Sequence, residues 1–130
     1  MKNIVVLGAT GTLGLPICRH LKEQGNNVWA VGHSGNAKSF FEKLGMNYSD
    51  VDICDKTTFS SLPQENIDCV IDFAGCLPAM MKADNDNNMY SDTIVRGTIN
   101  VLEYMRAINC KKIIFPQSVY DLHYLFGNAE

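Results

Sequence analysis

Short apolar runs alternate along this chain with longer segments in which apolar residues recur at helical spacing. Such runs predict buried strands, and the spaced segments predict amphipathic helices. The expected strands are Ile4–Leu7, Val28–Val31, Met46–Asp52, Ile67–Phe73 and Lys112–Phe115. The expected helices are Thr12–Gln24, Asn36–Leu44, Lys56–Leu62 and Ser91–Asn109. Because the two kinds of element alternate, we predict an α/β fold, a doubly wound parallel sheet of about five strands in the order 3-2-1-4-5 with helices on both faces.

The apolar residues of each predicted helix define the face that we expect to pack on the sheet. In the first two helices they are Leu13, Ile17 and Leu21, then Phe40, Phe41 and Leu44. In the last helix they are Ile94, Thr98, Val101, Leu102, Met105 and Ile108.

Composition narrows the class of protein. The chain has 130 residues, of which 46% are hydrophobic and 19% charged, and this predicts a single globular domain over 1–130. The net charge is -3 and no basic run is present, so we expect no nucleic-acid partner. No stretch reaches the roughly 20 apolar residues of a membrane helix, and no secretory leader pattern precedes the first strand. We therefore expect a cytoplasmic protein without a membrane partner.

Cysteine and histidine usage agrees with that expectation. The five cysteines form no Cys-x-x-Cys pair, and most lie in apolar contexts. They are expected to be small buried hydrophobic residues in a reducing cytosol. His20, His33 and His123 are scattered, so we predict no metal site.

Gly8, Gly11 and Gly14 follow directly after the first predicted strand and lead into the first predicted helix. Glycines there allow a sharp turn, the close approach of a ligand and tight packing of the helix on the strand. The helix N-terminus presents N–H groups and a partial positive charge, which suit a pyrophosphate. A purely structural turn is the alternative. The candidate cofactor-binding residues of this segment are Gly8, Thr10, Gly11, Thr12, Leu13 and Gly14.

The spacing Gly-x-x-Gly-x-x-Gly in Gly8–Gly14 resembles the glycine loop of extended short-chain dehydrogenases/reductases, the NAD(P)-dependent epimerases and dehydratases. The resemblance implies a Rossmann-type domain that binds NAD or NADP. Asp52-Ile53-Cys54-Asp55 resembles the family's Asp-h-x-Asp element (h, a hydrophobic residue). By that resemblance the Asp52 carboxylate accepts a hydrogen bond from the adenine amino group, and the Ile53 backbone meets the base. A turn or helix-capping acid is the alternative for Asp52, and Asp55 is expected to cap the next helix.

Three later segments extend the resemblance. Phe73-Ala74-Gly75 resembles the element beside the nicotinamide ribose and pyrophosphate, with Asp72 in place of a frequent His. The segment 95–103 resembles the Asn-Val-x-Gly-Thr-x-Asn-Leu-Leu-Glu signature of the long helix, with Ile94 in place of the leading Asn. Ser118 falls on the family's catalytic Ser/Thr, whose hydroxyl bonds the substrate oxygen during hydride transfer.

The residues after the second predicted strand bear on the choice of cofactor. NAD-binding proteins often carry an acid there that bonds the ribose 2′-OH, whereas an Arg accommodates the 2′-phosphate of NADP. This chain has Gly32, His33 and Ser34 there, with Lys38 beyond. With no acid after this strand to repel a phosphate, His33, Ser34 and Lys38 are candidate phosphate ligands, and the pattern favours NADP over NAD.

Family enzymes use a Tyr-x-x-x-Lys pair in which Lys and the cofactor lower the tyrosine pKa. The 130 residues contain no such pair and no substrate-binding lobe. We expect the NAD(P)-binding domain of a sugar-nucleotide epimerase/dehydratase-like oxidoreductase, not catalytically complete alone. It could be a piece of a longer enzyme, which we favour, a stand-alone nucleotide-binding module or a degenerate relative with a scaffold role. A homodimer through the helix Ser91–Asn109 or the edge of strand five is also expected.

Overall fold

The strands that the apolar runs predict lie side by side in one parallel sheet. The computed structural model describes residues 1–33, 35–75 and 88–116. Within these ranges five strands are arranged in the order β3-β2-β1-β4-β5, and every neighbouring pair is parallel. The predicted fold class and strand order are therefore confirmed. The strands are β1 (Asn3–Leu7), β2 (Asn27–Gly32), β3 (Asn47–Asp50), β4 (Cys69–Asp72) and β5 (Ile113–Ile114).

Each predicted helix is also present, with shorter or mixed bounds. Helix α1 spans Gly14–Glu23, and α2 spans Lys38–Lys43 after a 3₁₀ turn. The segment Lys56–Ser61 is a 3₁₀ helix whose N-cap is Asp55, as expected, because its carboxylate accepts the N–H of Thr57 at 2.9 Å. The last helix has three parts, which are α3 (Asn88–Tyr90), a π-helical segment (Ser91–Arg96) and α4 (Gly97–Ala107).

Side chains alternate across the sheet and supply two hydrophobic cores. Val5 and Leu7 of β1 point to the core that contains Val101 and Met105 of α4. Val6 of the same strand points to the opposite core, formed with α1 and α2. Helices therefore cover both faces of the sheet, and the sheet's rims at the strand ends are left for loops.

In each of the first two predicted helices, one residue that was expected to face the sheet is exposed. Leu13 is 60% exposed because α1 begins only at the following residue. Phe40 is 41% exposed because its neighbour Phe41 takes the interior position and stacks on Tyr48, with ring centroids 5.3 Å apart. Phe40 instead lies beneath the Arg19 guanidinium.

The expected inner face of the last helix is wrong at Ile94 and Leu102, which are about half exposed. The prediction assumed the regular α-helical period of about 3.6 residues per turn. In the structure the Gly97 N–H bonds the carbonyl of Asp92, a π-helical spacing that rotates Ile94 out of register with α4. Tyr104 rather than Leu102 faces inward, and its hydroxyl donates to the Pro63 carbonyl at 2.6 Å.

The described ranges contain no helix long and apolar enough to cross a bilayer. They also contain no cluster of three or more His, Cys, Asp or Glu side chains that could hold a metal ion. The cysteines in these ranges are free thiols, namely Cys18, Cys54, Cys69 and Cys110.

Candidate nucleotide-binding site

A cavity of about 400 Å³ opens at the carboxyl ends of β1, β2, β3 and β4. In open α/β sheets ligands bind at this rim, where the strand order reverses. Here the order reverses at β1, whose neighbours are β2 and β4. The lining residues are Leu7, Gly8, Val31, Gly32, His33, Val51, Asp52, Ile53, Cys54, Ala74, Gly75, Met89 and Thr93.

The turn after β1 lies at the floor of this cavity. Gly8 has a φ of 72°, and a Cβ atom there would lie 2.6 Å from the backbone carbon of Phe73. Only glycine fits both the left-handed conformation and this close approach to the end of β4. The Gly11 N–H donates to the Gly8 carbonyl at 3.0 Å, which closes the turn.

Helix α1 begins beside the cavity without a side-chain cap. Its N-cap residue Leu13 makes no side-chain cap hydrogen bond, and the first turn contains no acidic residue. Residues 10–13 are exposed, whereas Gly14 is buried. The first N–H groups of a helix have no intrahelical acceptor. This end of α1 therefore offers amide donors and a positive dipole to an anion.

The loop after β3 forms a second wall of the cavity and is fixed by its own hydrogen bonds. Asp52 Oδ1 accepts the N–H of Cys54 at 2.9 Å, and the Ile53 carbonyl accepts the Asn100 side-chain amide at 2.7 Å. Gly97 of α4 packs so closely that a Cβ atom there would lie 2.6 Å from Ile53 Cδ1. Asp52 and Ile53, both predicted from the motif, thus line the cavity from a rigid loop.

The end of β4 forms the third wall. Asp72 is buried, and its Oδ1 accepts the N–H of Ala74 at 3.0 Å. Burial raises the pKa of the Asp72 carboxyl, and the Ala74 hydrogen bond opposes that shift. Ala74 and Gly75 line the cavity, whereas the Phe73 side chain packs against the core on the α1 side.

The residues expected after β2 are only partly brought together. His33 is exposed and lines the cavity. Lys38 is not among the cavity's lining residues, and its Nζ lies 3.9 Å from Glu42 Oε1 on the exposed side of α2. Ser34 and the catalytic candidate Ser118 lie outside the described residues.

Sequence reasoning missed the side of the cavity formed by the last helix. Met89 and Thr93 line it, and Thr93 Oγ1 lies 3.8 Å from Cys54 Sγ, within hydrogen-bond range for sulfur. Burial raises the pKa of the Cys54 thiol. Met89 lies before the predicted start of the helix at Ser91, and the orientation of Thr93 depends on the π-helical segment. Cys54 could have been predicted to line the cavity, because it directly follows Asp52 and Ile53 in the sequence.

The sheet order, the glycine turn and the cavity at the reversal point together define a Rossmann-type nucleotide-binding domain. The family model described as NAD dependent epimerase/dehydratase family matches residues 4–123, so the chain belongs to this family.

Comparison with individual proteins supports this family membership. UDP-glucose 4-epimerase of Pisum sativum is 30% identical over 129 residues, which cover 90% of this chain and 37% of the pea protein. Photosystem II assembly factor Ycf39 of Synechocystis is 30% identical over 113 residues, which cover 87% of this chain and 32% of that protein. The crystal structure of UDP-glucose 4-epimerase from Bifidobacterium longum in complex with NAD+ and UDP superimposes with a TM-score of 0.72 at 28% identity, covering 91% of this chain and 37% of that one. The chain thus spans about a third of the length of the relatives it matches.

Proposed function

We propose that this chain is the NAD(P)-binding domain of a sugar-nucleotide epimerase/dehydratase-like oxidoreductase. The observation that carries the proposal is that Gly8 of the glycine turn and the Asp52–Ile53 loop line one cavity, and that the turn leads directly into the uncapped start of α1. The pea relative is named for UDP-glucose epimerisation, and the Bifidobacterium longum structure is titled with NAD+ and UDP. Both names support a nucleotide-sugar substrate for the whole protein.

We propose that the parts of the dinucleotide bind different walls of the cavity and the adjoining glycine turn. The amide groups of the exposed residues Thr10, Thr12 and Leu13 are proposed to bind the pyrophosphate, while the N–H of Gly11 closes the turn onto Gly8. Asp52 Oδ1 is held by Cys54, so Oδ2 is proposed to accept the adenine amino group, while the Ile53 backbone meets the base. Phe73, Ala74 and Gly75 are proposed to flank the nicotinamide ribose.

The bound cofactor would accept or donate a hydride, and the chain's own residues would orient it. Ser118 is proposed to hydrogen-bond the substrate oxygen. Since the 130 residues lack the Tyr-x-x-x-Lys pair, we propose that they bind the dinucleotide without completing the proton transfer. The free thiols at the described cysteines support a cytoplasmic location.

Calorimetric titration with NAD⁺, NADH, NADP⁺ and NADPH tests the proposed function. We expect at least one of them to bind and to raise the melting temperature, because a ligand at 100 times its Kd adds about 2.7 kcal/mol to the free energy of unfolding. The absence of both heat and thermal shift with all four nucleotides would refute the proposal.

A non-enzymatic nucleotide-binding or interaction module is the second candidate function. The similarity to a protein named as a photosystem assembly factor favours it. The coding sequence downstream of Glu130 discriminates between the two. A Tyr-x-x-x-Lys pair in frame supports the enzyme, and an early stop codon supports the module.

We also propose that two copies associate through the outer face of the last helix. Val95, Ile99 and Leu102 lie on one stripe at helical spacing, and each is 48% to 56% exposed. Twofold dimers are the commonest oligomers, and a self-complementary apolar stripe suits one. The stripe carries three such residues, whereas the described part of the other candidate, the edge at β5, carries two, Ile114 and Phe115.

Replacing Leu102 with Lys is expected to convert the dimer to a monomer in sedimentation equilibrium, since it places a charge in the centre of the stripe. Glu23→Lys, at an exposed position of α1, is the control and should remain dimeric. Wild-type protein that stays monomeric at high concentration would argue against the dimer. A dimer that is insensitive to Leu102→Lys would place the interface elsewhere, with the β5 edge as the next candidate.

A further inference from the structure

We propose that Asp50, held by Tyr48, recognises the adenine ribose of the bound dinucleotide and selects NAD over NADP. The inference rests on the proposed function, because it assigns a residue next to the same cavity to one part of the dinucleotide. Asp50 is not itself a lining residue, but its neighbour Val51 and its strand partner Gly32 are. The inference also reverses the preference for NADP that the residues after β2 indicate. Those residues include no acid, but Asp50 of the neighbouring strand β3 supplies one beside the end of β2.

The position of the ribose follows from the two subsites that flank it. The pyrophosphate is placed at the start of α1 and the adenine at the Asp52–Ile53 loop. The ribose that joins them must lie over the end of β2, where Gly32 and His33 line the cavity between these subsites. An acid at this point bonds the 2′-OH and repels a 2′-phosphate.

Gly32 has no side chain that could bind the ribose, and the space beside its Cα is filled by side chains of other residues. A Cβ atom on Gly32 would lie 2.6 Å from the Tyr48 hydroxyl and 2.8 Å from Thr10 Cγ2 in the glycine loop. The space that a side chain at the end of β2 would fill is therefore taken by Tyr48, which arrives from β3. The exposed start of α1 adjoins the same space through Thr10.

Asp50 completes this arrangement. It pairs in register with Gly32 across β2 and β3, and the Val51 N–H that follows it donates to the Gly32 carbonyl at 2.8 Å. Its Oδ1 accepts the Tyr48 hydroxyl at 2.9 Å, and its Oδ2 lies 3.6 Å from where a Cβ atom on Gly35 would be. The carboxylate thus lies against the turn that follows β2, on the side of the sheet that Thr10 occupies.

A hydrogen bond fixes the position of the carboxylate, and no cation of the described ranges forms an ion pair with it. Tyr48 is buried, and its ring stacks on Phe41 with an interplanar angle of 9°, which limits the directions its hydroxyl can take. Among the described residues Asp50 forms no ion pair, and the lysine considered as a phosphate ligand, Lys38, is paired with Glu42. A 2′-phosphate would therefore meet a negative charge at this point, whereas a 2′-OH would meet an acceptor.

The test measures the Kd of NAD⁺ and of NADP⁺ by calorimetry for the wild-type chain, Asp50→Asn and Tyr48→Phe. We expect wild type to prefer NAD⁺ by about tenfold or more, the range for a hydrogen bond to a charged group. Asp50→Asn should weaken NAD⁺ binding and strengthen NADP⁺ binding, which brings the ratio of the two constants close to one. Tyr48→Phe keeps the charge but removes the hydroxyl that holds it, so NAD⁺ should bind several-fold more weakly while NADP⁺ stays weak.

Glu23→Gln is the matched control, because it removes one negative charge from an exposed position at the far end of α1 and should leave both constants unchanged. A wild-type preference for NADP⁺, or a ratio unaltered by Asp50→Asn, would overturn the inference while leaving the proposed function intact. If wild type binds neither dinucleotide, both the proposed function and the inference fail. Far-UV circular dichroism of each variant establishes that an altered constant reflects the site and not unfolding.

Discussion

Gly14→Ala is expected to destabilise the domain by ~3 kcal/mol, a large part of the total stability of a domain. Gly14 is the first residue of α1, where helix propensity alone would favour alanine by about 1 kcal/mol. Packing outweighs that preference. A Cβ atom on Gly14 would overlap the carbonyl oxygen of Gly8 and lie 2.7 Å from Ala9 Cα. These atoms belong to the backbone of the turn, which cannot move aside without separating α1 from β1.

Urea unfolding monitored by circular dichroism measures the effect. Gly75→Ala is the matched control, because no atom of the described residues lies within 4 Å of a Cβ atom at Gly75. We expect the control to stay within about 0.5 kcal/mol of wild type. If the two variants unfold at the same urea concentration, the close contact between α1 and the glycine turn does not exist in solution.

The glycine turn was predictable from sequence because its cause is local. A buried strand, a left-handed glycine and a helix start follow one another within the segment from Ile4 to Gly14, and the alternation of elements predicts the strand order. Asp52 and Ile53 were predicted from the resemblance of residues 52–55 to the family's motif. They lie on the same cavity as the glycine turn because the carboxyl ends of parallel strands share one rim.

The π-helical segment and the side of the cavity that it forms were not predictable in this way. A hydrophobic period assumes one helix type throughout, so Ile94 was placed on the inner face. The actual register depends on how α4 packs, with Gly97 against Ile53 and Tyr104 bonded to Pro63. These contacts join segments far apart in the chain, and the pattern of residues 91–109 does not encode them.

The acid beside Gly32, at the proposed ribose subsite, could not be predicted from the sequence pattern either. The sequence has no acid directly after the second predicted strand, where Gly32, His33 and Ser34 stand. In the structure, the pairing of β2 with β3 brings Asp50 to Gly32 from the neighbouring strand. A subsite built across two strands requires the register of the sheet, which the order of residues alone does not supply.

Gly11→Val is expected to abolish dinucleotide binding, with a loss of about 100-fold or more in affinity, while the domain stays folded. Gly11 is exposed at the start of α1, and the Gly8 carbonyl oxygen, at 3.3 Å, is the sole described neighbour within 4 Å of a Cβ atom there. A small shift accommodates the new side chain in the free protein. In the complex, two methyl groups would stand where the pyrophosphate approaches the start of α1, and they would block its access.

Thermal unfolding with and without NAD⁺ measures both properties on one sample. The variant should melt within a few degrees of wild type when free and should lose the shift that the nucleotide produces in wild type. Gln24→Val adds the same β-branched side chain at the other end of α1 and should keep the full shift. Gly11→Ala should lie between the two, because one methyl group obstructs the approach less than an isopropyl group. If Gly11→Val binds NAD⁺ as tightly as wild type, the pyrophosphate does not lie at the start of α1, and the assignment of the cavity walls must be abandoned, because each of them was placed relative to that point.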